Sequence, residues 1–103
     1  MTSGARQEAW MHDWTLNSIS IDWQSGCAVC RLEGPDAQAS LVANGLRELR
    51  LPRKFSWGPS VSVNRVTGPI QKSAGLSLIS IEMQSGDIIE IEASSFNLPQ
   101  PQP

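Results

Sequence analysis

The stretch Ser18-Ile19-Ser20-Ile21-Asp22-Trp23-Gln24-Ser25-Gly26 is nearly rewritten as Leu78-Ile79-Ser80-Ile81-Glu82-Met83-Gln84-Ser85-Gly86, and each copy runs on into another β-prone segment. Alternating isoleucine and polar residues have the period of two that turns one edge of a strand toward a core. Gln-Ser-Gly then supplies a reversal, because glycine takes left-handed backbone without steric cost. The chain builds one hairpin twice, and an antiparallel all-β fold follows.

A three-residue loop with its glycine left-handed sets a register for each copy. In the first, Trp23 faces Cys27, Ile21 faces Val29 and Ile19 faces Arg31. In the second, Met83 faces Asp87, Ile81 faces Ile89 and Ile79 faces Ile91, with Ser80, Glu82, Ile88 and Glu90 on the opposite face. A two-residue loop in the second copy would set Ile81 against Glu90 and Ile79 against Glu92. Burying either carboxylate there would cost several kcal/mol, so the longer loop is expected. A slip of one residue would turn the whole set over.

Outward from the hairpins, strands are expected over about residues 14–23, 27–33, 38–43, 46–51, 60–66, 76–84 and 87–93. Glu33-Gly34-Pro35-Asp36, Asn44-Gly45, Gly58-Pro59 and Thr67-Gly68-Pro69 carry turn chemistry, and Asn44-Gly45 is the strongest two-residue hairpin signal. About seven short strands with such punctuation describe a single-domain antiparallel β-sandwich or small barrel. Residues 1–11, with at most a turn of helix near Ala5 to Trp10, read as a flexible lead. Residues 12–97 form the β domain, and the Pro/Gln-rich residues 98–103 form a disordered tail. The expected core is Ile19, Ile21, Trp23, Val29, Leu41, Leu49, Leu51, Val61, Val63, Ile79, Ile81, Met83, Ile89 and Ile91. Leu16, Leu32, Leu76, Leu78 and Ile88 fall on the other face by this parity.

With 103 residues the chain is long enough to bury roughly two thirds of its unfolded surface around one core. Eight basic against ten acidic residues, net charge −2, provide no field for holding polyanions, which disfavours nucleic acid and anionic membranes as partners. No apolar run approaches the ~20 residues of a membrane span, and the first residues lack the apolar stretch of a signal peptide. Two cysteines without a leader fit reduced thiols in the cytoplasm.

Cys27-Ala28-Val29-Cys30 has the gap of a redox or zinc pair. On a strand, however, residues i and i+3 point to opposite faces about 10 Å apart, too far for one disulfide or one metal. Cys27 is expected inward and Cys30 outward. His12, the only histidine, stands beside Asp13 with no further ligands in pattern, and reads as ordering the start of the first strand through a backbone hydrogen bond. Asp22, Glu82, Glu90 and Glu92 could pair for acid–base work, but alternation puts them on an exposed face, where charges discourage edge aggregation. No nucleophile elbow and no Gly-rich phosphate loop is present.

The least generic stretch is 46–64. It holds half the positive charge in Arg47, Arg50, Arg53 and Lys54, followed at once by Phe55 and Trp57, residue types that anchor interfaces. Pro52 and Pro59 stiffen the segment. The alternative is that Phe55 and Trp57 cap one end of the core while the cations solvate the loop.

His12-Asp13 before an alternating strand, Ile21-Asp22-Trp23 with Ser25-Gly26, Pro52-Arg53 leading to Trp57-Gly58-Pro59-Ser60-Val61-Ser62-Val63-Asn64, and residues 81–91 together resemble a group of small bacterial all-β proteins without assigned chemistry. That resemblance covers most of the chain and implies a bacterial, free-standing β protein with no assigned active site. The His-Asp opening with alternating strands is also similar to some immunity proteins that neutralise bacterial toxins. The function expected is a non-enzymatic protein-binding or assembly module, without cofactor or metal. It would contact an acidic protein surface through Arg47, Arg50, Arg53, Lys54, Phe55 and Trp57, or self-associate through the face bearing Leu16, Leu32, Leu78 and Ile88. The alternative is a small-ligand carrier with a pocket lined by Trp14, Trp23 and Trp57.

Overall fold

The second copy of the repeat sets the centre of the fold. In the computed structural model, which describes residues 12–56, 58 and 61–99, Ile79 pairs with Ile91 and Ile81 with Ile89. Met83 N–H donates to the Asp87 carbonyl at 2.8 Å, closing the three-residue loop. The four isoleucines and Met83 are buried. The register that keeps Glu90 and Glu92 off the core face is therefore the one adopted.

Around this hairpin, six antiparallel strands form one sheet: β1 (Thr15–Asp22), β2 (Cys27–Glu33), β3 (Gln38–Arg50), β4 (Val63–Ser73), β5 (Leu76–Met83) and β6 (Ile88–Asn97). Their spatial order is β1-β2-β3-β6-β5-β4. No helix occurs among the described residues, so no helix there could cross a membrane. The sheet is not closed. Its edge strands approach at one bridge, Thr15 with Ser62, flanked by Leu16 N–H to Val61 O at 3.0 Å and Val63 N–H to Trp14 O at 2.8 Å. The all-β antiparallel class is what forms, with six strands in one open sheet among the described residues rather than about seven.

The strand count falls because Asn44-Gly45 does not reverse the chain. It lies inside β3, which pairs with β2 over residues 38–44 and with β6 over residues 42–50, Leu49 against Ile91 and Arg50 against Glu90. Gly45 takes φ +65°, and a Cβ there would meet Ser94 Oγ at 2.5 Å. Glycine thus serves a close approach between strands instead of a hairpin tip. Leu46 N–H donates to Gly26 O at 2.8 Å, fastening this bend to the β1–β2 loop. Thr67-Gly68-Pro69 likewise lies within β4, and the reversal comes at Ala74-Gly75. The expected strand start at Ser60 and the Pro59 turn position lie outside the described residues, as do Trp57, the 1–11 lead and residues 100–103.

The first repeat takes a different register from the one expected. Asp22 pairs with Cys27, Ile21 with Ala28 and Ile19 with Cys30, giving a four-residue loop. Asp22 Oδ1 accepts from Gln24 N–H at 3.0 Å and Ser25 N–H at 3.4 Å, and Gly26 N–H donates to Asp22 O at 2.9 Å. The short carboxylate wraps the loop back on itself in a way the longer Glu82 of the second copy does not. This added residue turns β2 over. Ala28, Cys30 and Leu32 are buried, Val29 is half-buried on the outer side, and Trp23 is 83% exposed at the loop tip.

Parity along three strands is reset by an extra residue at Asn17, Arg47 and Asn64, where the pairing shifts by one. Leu16 and Ile19, Leu46 and Leu49, and Val63 and Val66 therefore share the inner face although they lie three apart. Leu16 and Leu32 belong to the core, not to an outer contact face as expected. Leu41, Val63, Ile79, Ile81, Met83, Ile89 and Ile91 are buried as expected, and Ala28, Cys30, Ala43, Val66 and Ala93 join them. Ile19, Ile21, Leu49, Val61, Phe96 and Leu98 pack against that core from its margin, whereas Leu51 is 50% exposed.

Gly45 and Gly75 take similar positive φ, but nothing lies within 4 Å of a Cβ at Gly75. Gly75→Ala is expected to lose about 1 kcal/mol for left-handed backbone alone. Gly45→Ala should lose a further 1–3 kcal/mol through the Ser94 clash. Urea denaturation of the two variants measures the difference, and equal losses would contradict the close approach.

Candidate functional site

Four of the five connections are short, and the β3–β4 connection, residues 51–62, is the long one. It is long because β3 sits in the middle of the sheet and β4 at its far edge, so the chain must cross the ends of β6 and β5. Long connections of this kind carry function more often than tight turns do. The crossing passes the β5–β6 loop, and there Asp87 holds it.

Asp87 is 4% exposed. Its Oδ1 accepts from Lys54 N–H at 3.2 Å, and Oδ2 accepts from Phe55 N–H at 3.1 Å and from Ser85 Oγ at 3.2 Å. Its own N–H donates to Ser85 Oγ at 3.2 Å. A buried carboxylate is tolerable only when its lone pairs are filled, and here the filling donors are the backbone of the crossing segment. Phe55, 59% exposed, is thus held by its backbone while its side chain meets solvent, and Ile88, next in sequence to Asp87, is 45% exposed.

The other candidates are placed separately. Arg47 is the extra residue of the β3 bulge and is exposed. Arg50 turns back onto the sheet. Its Nε lies 3.0 Å from Glu48 Oε2, Nη1 2.6 Å from Glu90 Oε1, and Nη2 3.9 Å from Glu92 Oε2. The Glu48 carboxylate first, by hydrogen bond and charge, and then Glu90 hold its proton more tightly than usual. Arg50 therefore serves its own sheet face more than a partner. Arg53 and Leu51 help line a groove of about 300 Å³ against Leu16, Asn17, Ser18, Ile19 and Val61 of the β1 side. Trp57 lies outside the described residues.

The other acidic candidates, His12 and the cysteines are placed by structural contacts. Glu82 pairs with Arg65 at 3.0 Å and Glu92 approaches Lys72 at 3.9 Å, so these acids form a cross-strand ionic layer rather than an isolated carboxylate pair. His12 Nδ1–H donates to Asn64 O at 2.8 Å. Asp13, at φ +68°, accepts from Gln84 Nε2, and Asp13 N–H donates to Val63 O at 2.8 Å. His12 and Asp13 thus tie the start of β1 to β4 and the β5–β6 loop. Cys27 and Cys30 are free thiols on opposite faces, as the spacing requires, but with directions reversed by the four-residue loop. No cluster of three metal-ligating side chains occurs among the described residues.

Trp14 packs over Gly34, where a Cβ would meet its ring at 2.5 Å. Trp23 lies beyond the other end of β1, some 25–30 Å away by strand rise. These two do not converge on a pocket. Comparison with family models, with curated proteins and with solved structures gives no match.

Asp87 was readable from the sequence only as a loop residue opposite Met83. Its position two residues before Ile89 and four before Ile91 puts it on the core face, and a carboxylate with core parity implies buried donors. Asp87→Ala is expected to lose about 1–2 kcal/mol in urea, because two part-buried amides and the Ser85 hydroxyl lose their acceptor. Limited trypsin digestion should cleave after Arg53 and Lys54 well before the rest of the chain. Unchanged digestion would show that Asp87 does not hold the segment.

Burial pushes the Cys30 thiol up from 9.0 to about 12. The folded state then keeps a proton that the unfolded state gives up. Stability is full below pH ~9 and declines by up to about 1.4 kcal/mol per pH unit toward pH ~12. Native protein should expose only Cys27 to a thiol reagent at pH 8, and Cys30→Ala should flatten the alkaline decline. Reaction of both thiols at equal rates without unfolding would contradict the burial.

Proposed function

We propose that this chain is a non-enzymatic protein-binding module, engaging a partner through the Asp87-anchored segment at 51–56 with Phe55 as the anchor. The observation that carries the reading is a buried carboxylate whose acceptors fix the backbone of two exposed residues, Lys54 and Phe55. A contact held before the partner arrives loses less entropy on binding. An exposed aromatic next in sequence to a cation, Lys54, on a backbone held by Asp87 has the make-up of an interface centre. Lys54 favours a partner with an acidic surface, and an immunity-type inhibitor is one version of this proposal. A cytoplasmic setting belongs to the same proposal and rests on the two free thiols. The Trp-lined ligand pocket has less support, since Trp14 and Trp23 stand at opposite ends of β1.

The test uses a photo-crosslinking residue at position 55, at 88, and at Ile70, which is 52% exposed on β4 and serves as control. The expected result is one partner captured from 55 and 88 in cells but not from 70. Phe55→Ala should then weaken binding of that partner at least tenfold with the fold retained, the loss typical of a central aromatic. Capture from all three sites alike, or full affinity in Phe55→Ala, sinks the reading.

A further inference from the structure

The two edges of the sheet are built differently. β4 carries Arg65 and Lys72, the Gly68-Pro69 pair and three shifts in register, all devices that blunt an edge. Past its one bulge at Asn17, β1 reads Ser18-Ile19-Ser20-Ile21-Asp22, with no proline, no lysine and no further shift. Among the described residues, backbone bonds reaching β1 from the side away from β2 stop at Leu16.

The direction of the free groups follows from the pairing. Leu16 sends its N–H away from β2, to Val61. Its opposite, Leu32, therefore faces β3, and the next residue, Arg31, faces β1. Ser18 is opposite Arg31, so Ser18, Ser20 and Asp22 bond toward β2, while Ile19 and Ile21 send their N–H and C=O groups to the open edge.

We propose that this edge pairs antiparallel with the same edge of a second copy, about a two-fold axis at Ser20. Ile19 then lies opposite Ile21 of the second copy, exchanging backbone hydrogen bonds, and Ser18 lies opposite the other Asp22. Ile19 and Ile21, half-buried at the core margin, are covered by their own counterparts. No like charges meet. Centring on Asp22 would oppose two carboxylates. Centring on Ile19 would set Asp22 against Leu16, whose amide Val61 already takes. A self-complementary patch closing on a two-fold is the usual form of a dimer. At five residues a side it belongs with small transient interfaces, below ~1,200 Å². Phe55 takes no part in this pairing, although Leu51 and Arg53 of the crossing segment line a groove with Ser18 and Ile19 beside the edge.

The two-fold makes Ser20 a non-hydrogen-bonded pair, with Cα atoms about 4.5 Å apart, which suits a disulfide. In a Cys27→Ser background, Ser20→Cys should give a disulfide-linked dimer under mild oxidant faster than Ser73→Cys, an exposed control on β4. Sedimentation velocity of the wild-type chain should show mass rising with concentration. Ser20→Lys and, separately, Ser20→Asp should each hold it at monomer mass with unchanged circular dichroism, so a folding defect in one leaves the other to decide. A wild-type monomer at every concentration, cross-linking no faster than at Ser73, or dimers persisting in the folded charged variants would overturn the proposal.

Discussion

A strand that buries one face can place apolar residues three apart on that face only by inserting one residue between them. This chain does so at Asn17, Arg47 and Asn64. Each inserted residue is polar and stands just after an apolar one, so the core gains both members of Leu16/Ile19, Leu46/Leu49 and Val63/Val66. The bulges also increase local twist, which brings the start of β1 within bonding distance of residues 61–63 without closing the sheet. Without them half of β1 and β4 would turn apolar side chains to water.

Once β4 is sent to the far edge, the chain must cross two strand ends to reach it. Residues 51–56 of the crossing segment belong to no strand, so their amides need other acceptors. Asp87 provides them for Lys54 and Phe55, and the backbone requirement is met at the cost of leaving Phe55 in solvent. The proposed contact and the topology thus meet at one residue, Asp87. The same economy governs the outer face, where Arg50 stitches Glu48 on its own strand to Glu90 and Glu92 on β6. An ion pair so exposed contributes little stability, but Arg50 and Lys72, shared among Glu48, Glu90 and Glu92, offset the repulsion between those acids.

The β5–β6 hairpin was legible because its pattern has a single solution: both isoleucine pairs are buried and both glutamates stay out only with three loop residues. Asn44-Gly45 was misleading because a positive-φ glycine serves a close approach in mid-strand as well as a hairpin tip, and only Ser94, fifty residues on, distinguishes the two. The bulges left a signal in the i, i+3 apolar spacing, yet it looks the same as a strand exposed on alternate faces. Among the candidate cations, Arg50 could not be told from Arg47 by sequence, since what separates them is the cross-strand distance to Glu90.

The two copies of the repeat show how little decides a loop. Both contain Gln-Ser-Gly, and both follow an alternating isoleucine strand. In the first, the carboxylate comes before the loop, and Asp22 is short enough to accept the loop's own amides, which favours four residues. In the second, the residue at that place is Glu82, which pairs across the strand with Arg65, and the shorter carboxylate comes after the loop as Asp87. With no acceptor pulling from behind, three residues suffice, and Asp87 takes core parity and turns its oxygens to the crossing segment. Moving one carboxylate from one side of Gln-Ser-Gly to the other converts a self-capped loop with an exposed tryptophan into an anchor for another part of the chain.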